Sequence, residues 1–136
     1  MVPQRVCAVL RDVAAALAVL HSRGFVHRDV SSRNVRFTTE GTAKLIDFGT
    51  LAPMGPCTRV IGTPAFVAPE VAHRSTLDGR TDLFSLGATL YSPLTGRPAY
   101  AAPHFALLHD AWRVPPPAPA ALRAALPAPL DGLGLP

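Results

Sequence analysis

Asp29, Asn34 and Asp47 are the kind of oxygen donors that hold a hard divalent cation, and the first two lie in one short segment, HRDVSSRN. That octet, residues 27–34, gathers a histidine, two arginines, an aspartate and an asparagine in a chain whose charged residues make up only 16% of the composition. Asp47 follows a stretch patterned to fold back on itself, which can return it to the neighbourhood of the other two. Two oxygen donors and a further carboxylate facing one space suit magnesium and a phosphate ester such as a nucleotide. Taken singly, each of the three is better read as an Asx-turn or loop-capping residue; only the combination changes that.

The elements that must position these groups are legible on both sides. From Val6 to His21, apolar residues recur at helical spacing (Val6, Val9, Leu10, Val13, Leu17, Leu20), and Gly24 stands just beyond the end. NVRFTTEGTAKLIDFG alternates apolar and polar residues around Glu40-Gly41, the pattern of a short two-stranded hairpin. The octet is therefore a loop between a helix and a hairpin. Residues 49–69 carry four prolines and no sustained period, too long for an ordinary connection, and read as a functional loop or an insertion. TDLFSLGATLY predicts a second apolar helix, HFALLHDAWR a shorter amphipathic one, and residues 115–136 an Ala/Pro-rich tail.

Composition narrows the partners. With 136 residues, 49% of them hydrophobic, the chain suffices for one globular unit. The net charge of +4 comes from arginines scattered between Arg5 and Arg123 rather than from a run, so a nucleic-acid partner is not expected. Cys7 and Cys57 are too few for a disulfide framework and have no companion ligands for zinc. Arg11 and Asp12 split the apolar start, and no stretch reaches a membrane span, so no membrane role is expected of this segment and the default location is cytoplasmic.

His27-Arg28-Asp29, Asn34, Asp47-Phe48-Gly49 and Ala68-Pro69-Glu70, in that order and spacing, together resemble the signature set of the protein kinases. Each triplet alone is weak; the set is specific and covers nearly the whole chain. The resemblance implies a fold that is mainly α with a short β-hairpin, a kinase-like large C-terminal lobe truncated at both ends. Residues 1–114 would form this partial lobe, and residues 115–136 would begin an incomplete C-terminal part. It further implies a protein substrate with a Ser or Thr hydroxyl, because GTPAF resembles the bacterial-type Ser/Thr branch, and it implies ATP and Mg²⁺ as cofactors.

Roles follow position by position. Asp29 would accept the proton of the substrate hydroxyl and orient it, while Asn34 and Asp47 would hold Mg²⁺ on the nucleotide phosphates. Thr63 would bond near Asp29, and Phe48 and Gly49 would set the position of Asp47. His27 and Glu70 belong to the structural frame, and Asp82 would accept backbone N–H bonds from the loop. Arg28 beside Asp29 resembles kinases switched on by phosphorylation of the activation loop, with Thr58 and then Thr50 as acceptors.

The pattern also breaks. Ser31 stands where Ser/Thr kinases carry a lysine, and Arg33 resembles the tyrosine-kinase form of the loop, which makes it the candidate replacement. Pro93 is expected to stop or kink its helix. The sequence contains no glycine-rich loop, and Lys44, the only lysine, lies after the catalytic loop. A missing N-lobe would leave apolar surface as a docking face for that lobe or for a partner, and weak or no activity is expected of this chain alone. Two readings therefore stand beside each other: a Ser/Thr kinase fragment, and a non-catalytic, pseudokinase-like interaction module. A small-molecule phosphotransferase shares the H-x-D-x-x-x-x-N spacing, but GTPAFVAPE argues for a peptide-binding loop.

Overall fold

The computed structural model describes residues 2–118. Helix α1 (Pro3–Ser22) opens with proline at its first position, where no N–H is needed, and ends at Arg23 before the left-handed Gly24. Its buried stripe of Val6, Val9, Val13 and Leu17 is the helical period read from the sequence. Strand β1 (Phe25–Val26) leads into the octet, which closes in a 3₁₀ turn at Ser32–Asn34.

Strands β2 (Val35–Phe37) and β3 (Ala43–Leu45) then form the antiparallel hairpin, in the register Val35↔Leu45, Arg36↔Lys44 and Phe37↔Ala43. Ala43 and Leu45 turn inward onto α1, and the Ala43 N–H is held from the helix by Oδ2 of Asp12 at 3.0 Å.

The segment from 49 to 69 is neither a long strand nor a structureless insertion. It is pinned by two-residue pairings: β4 (Ala52–Pro53) on β1, and β5 (Gly55–Pro56) on β6 (Thr76–Leu77). A 3₁₀ turn at Pro64–Phe66 precedes the short helix α2 (Pro69–Ala72).

Helix α3 (Gly79–Thr95) starts on Asp78, whose carboxylate caps the N–H of Arg80 at 2.9 Å, and stops at Gly96 with φ +83°. Pro93 does not stop it. Lying in the last turn, it forfeits one backbone hydrogen bond, and the helix runs two residues further with Leu94 buried in the core. The amphipathic segment predicted after it is shorter than its pattern, a 3₁₀ turn at Phe105–Leu107 followed by α4 (Leu108–Trp112).

Two apolar clusters result. One joins α1, the hairpin and the far half of α3 through Val6, Val9, Val13, Leu17, Val30, Leu45, Leu86 and Leu90. The other joins the 49–77 region to α4 through Val26, Cys57, Val67, Val71, Leu77 and Leu108. The octet runs between them, with Val26 just before it in one cluster and its own Val30 in the other. Most of the Ala/Pro-rich tail lies outside the described residues; at its start, the Pro117 carbonyl accepts the Tyr91 hydroxyl at 2.6 Å. Among the described residues no helix is long and apolar enough to cross a membrane.

Candidate active site

The octet is fixed from below by one carboxylate. Asp82, in the first turn of α3 and 0% exposed, accepts the His27 N–H on Oδ2 at 2.8 Å and the Arg28 N–H on Oδ1 at 2.9 Å. Those bonds sustain a left-handed Arg28, φ +72°, a conformation a side chain of this size enters only where its surroundings enforce it. The reversal aims Asp29 away from the core.

Asp29 is held on both oxygens. Thr63 Oγ1 donates to Oδ1 at 2.9 Å, and Asn34 Nδ2 donates to Oδ2 at 3.0 Å and to the Asp29 carbonyl at 2.8 Å. Arg33 Nη2 donates in turn to Thr63 Oγ1 at 2.9 Å, which puts a guanidinium one hydroxyl away from the Asp29 carboxylate. Ser31 does not take the place of a lysine reaching outward: its side chain is fully buried, and its hydroxyl has no partner among the described residues.

His27 ties the loop to the strand that carries Asp47. The Asp29 N–H donates to Nδ1 at 3.2 Å, so the ring proton sits on Nε2, which faces the Ile46 carbonyl at 3.1 Å. The Ile46 N–H bonds the Asn34 carbonyl at 2.8 Å. Asn34 and Asp47 are thereby brought to the two ends of one backbone hydrogen bond, plus one residue. Asp47 has φ +59°, is exposed, and accepts the Gly49 N–H on Oδ1 at 3.1 Å. Phe48 meets the His27 ring edge-on, centroids 5.4 Å apart, with about half of its surface exposed.

The donor set fits a magnesium nucleotide. Asn34, a buried residue, spends its amide hydrogens on Asp29, which leaves its oxygen as the atom that could accept a cation, and Asp47 offers a carboxylate in solvent. Few protein oxygens with room for phosphate oxygens and water match what Mg²⁺ requires. Among the described residues no three of His, Cys, Asp or Glu converge, so the arrangement has no zinc-type cluster.

The remaining candidates are more dispersed. Arg28 Nε donates to the Thr50 carbonyl at 2.6 Å, and the Thr50 hydroxyl donates to the His27 carbonyl at 2.6 Å, so Thr50 serves the loop as a tether. Thr58 is exposed. Glu70 accepts a bond from Thr81 Oγ1 on its Oε1 at 2.9 Å, a hydroxyl one position before Asp82.

Two contributors escaped sequence reasoning. His21, in the last turn of α1, places Nε2 2.8 Å from Oδ2 of Asp82, and a lone histidine at a helix end carries no signal of that reach. Gly62 has φ +124°, and a Cβ there would lie 2.9 Å from the Arg28 carbonyl and 2.8 Å from Val67, so only glycine lets the 49–69 segment close over the octet. The turn dipeptide Gly62-Thr63 was the available hint.

A mainly apolar groove is lined by Val9, Val35, Phe37, Phe66, Leu86 and Leu90 and reaches the octet at Ser32, without including Asp29, Asn34 or Asp47.

Known proteins similar to the chain are protein kinases. The chain is 40% identical over 105 residues, 74% of its length, to the serine/threonine-protein kinase cst-1 of Caenorhabditis elegans, covering 21% of that protein. It is 34% identical to the serine/threonine-protein kinase PknB of Mycobacterium tuberculosis over 99% of its length and 23% of the relative's. To the serine/threonine-protein kinase pak-1 of Caenorhabditis elegans it is 39% identical over 70% of the chain and 17% of that protein. The chain thus spans about a fifth of the length of the curated relatives it matches. Residues 1–110 match the protein kinase domain, and the chain belongs to that family, with serine/threonine kinases as its relatives.

Proposed function

We propose that this chain carries the catalytic loop and metal-binding segment of a Ser/Thr protein kinase, in the larger helical lobe of the domain, and takes part in phosphoryl transfer from Mg·ATP to a protein hydroxyl. The observation that carries this reading is the Asp29 carboxylate suspended between Thr63 and Asn34, on a loop whose own bonds lead to the strand of Asp47. In this reading Asp29 orients the hydroxyl and takes its proton late in transfer, while Asn34 and Asp47 hold Mg²⁺, which offsets charge on the phosphates as the bond loosens.

Arg33 supplies the cation that Ser31 does not. Its bond to Thr63 puts positive charge beside Asp29, where a lysine would otherwise steady the transferred phosphate. Arg28 and Thr58 are proposed as a switch in which a phosphate on the exposed threonine draws the arginine from the Thr50 carbonyl. The 136 residues contain no glycine-rich phosphate cover, so transfer by the chain alone is expected to be weak.

The test is Mg·ATP-dependent phosphorylation of a mixed Ser/Thr peptide by the purified chain and its Asp29→Asn variant. A loss of about 100-fold or more is expected; equal incorporation in both samples contradicts the assignment. A second reading, an interaction module without catalysis, draws on the buried Ser31 and the apolar groove. It predicts equal incorporation together with partner binding that Phe37→Glu, at an exposed position of the groove, abolishes.

A further inference from the structure

We propose that His73 and His109 form a two-ligand surface site for a divalent transition-metal ion of the zinc and nickel class, which ties the end of α2 to α4. The site is separate from the Asp29 cluster, and it does not rest on the reading above.

The chain has five histidines, and they divide by what their ring nitrogens do. His21 reaches Asp82, and His27 lies between the Asp29 N–H and the Ile46 carbonyl. His104 meets no other ring among the described residues. His73 and His109 are both exposed, and neither side chain makes a hydrogen bond among the described residues. Their rings lie edge to face, with centroids 6.4 Å apart and planes at 64°. His73 closes α2, its N–H bonded to the Pro69 carbonyl at 2.9 Å, and His109 belongs to α4. Both backbones are set by the second apolar cluster, in which the neighbouring Val71 and Leu108 are buried.

The spacing matches what one ion requires. With a metal–nitrogen bond of about 2.1 Å, each ring centroid lies about 3.2 Å from the ion, so two rings sharing it have centroids about 5.2 Å apart at a tetrahedral angle and about 6.4 Å when opposed. The observed pair stands at the upper end of that range, and rotation of two exposed side chains covers the remaining distance without moving either helix. No third His, Cys, Asp or Glu joins them among the described residues, so water completes the coordination. Arg74 follows His73 and Arg113 stands one turn after His109, so no negative field recruits the ion. A hard cation such as Mg²⁺ finds no protein oxygen here, and ions that favour imidazole remain. A third ring supplies the reporter: Trp112, the only tryptophan, has its centroid 5.7 Å from that of His73, which puts it within about 9 Å of an ion bound there.

The test titrates Ni²⁺, a quenching ion, into the whole untagged chain and follows the fluorescence of Trp112. Ni²⁺ is chosen over Cu²⁺ because Cys7 and Cys57 are free thiols. Saturable quenching is expected, reversed by EDTA and displaced by Zn²⁺, with Mg²⁺ having no effect. His73→Asn and His109→Asn should each raise the half-saturating Ni²⁺ concentration by about tenfold or more, because the second ligand acts at high effective concentration once the first is bound. His104→Asn should leave it unchanged. All three positions are exposed, so the substitutions cost little stability. As a second readout, Zn²⁺ should raise the thermal midpoint of the native chain and not that of the His73→Asn, His109→Asn double variant, since it binds the folded state. Absence of saturable quenching, or quenching that neither His73→Asn nor His109→Asn weakens, overturns the proposal. So does an equal weakening by His104→Asn. Each outcome stands whether or not the chain transfers phosphate.

Discussion

Asp29 sits in a cage, with both carboxylate oxygens bonded and two preceding amides anchored on a fully buried carboxylate. Asp47, the other acidic group of the proposed centre, is exposed, and the bond its carboxylate makes is to Gly49 two residues on. The contrast follows from their supports. The octet lies between two apolar clusters and receives bonds from α3, the hairpin and residue 63. The 46–50 segment is tied to the octet at its two ends, through Ile46 and Thr50, and Asp47 lies exposed between them. A group that must meet a substrate hydroxyl in one direction gains from rigidity. A carboxylate that wraps a cation arriving with its nucleotide can be placed by the cation itself.

Three substitutions break or sharpen that contrast. The largest effect is expected at Asp82→Ala, which strands two loop amides and the His21 ring. Chemical denaturation should show a loss of about 3 kcal/mol, from several bonds to one buried charged group. Asn34→Ala removes both tethers to Asp29 from a buried site and should cost about 1 to 2 kcal/mol by the same measurement. Asp47→Ala should cost no more than about 0.5 kcal/mol, because its contacts are local and exposed. A cost at Asp47 equal to that at Asn34 would erase the distinction between caged and open carboxylates.

Acid provides the smallest effect and tests the hairpin's support. The Ala43 N–H, and after it Arg11, hold the Asp12 carboxyl below its ordinary value. A depressed carboxylate contributes stability above its unfolded-state pKa and loses it as pH falls through the lower folded value. The denaturation midpoint of the native chain should therefore fall between pH 5 and pH 3 more than that of Asp12→Ala, by a small margin because its Arg11 partner is exposed and screened by solvent.

Much of the fold was readable because it repeats. The valine and leucine stripe of α1 has period 3.6, and the hairpin has period 2 around a glycine turn. The pairings of β1 with β4 and β5 with β6 are two residues long and join positions about 20 to 28 apart, so no local period announces them. Pro93 misled because its cost depends on how much helix follows it, which sequence alone does not fix.

The candidate site divides the same way. Residue types and their spacing brought Asp29, Asn34 and Asp47 into view, and the resemblance to the protein kinases added Asp82. The burial of Ser31, the tether made by Thr50 and the bond from His21 to Asp82 depend on where long-range packing sets each side chain.

The central claim is that Asn34 and Asp47 hold one metal on one nucleotide. Substituting Mn²⁺ for Mg²⁺ and adding ATP tests it directly, since the paramagnetic ion broadens amide resonances within reach. The account predicts that Asn34, Asp47 and Gly49 broaden together, in an ATP-dependent manner, and that Asp47→Ala relieves the effect at Asn34. ATP-dependent broadening that neither Asp47→Ala nor Asn34→Ala relieves would contradict it.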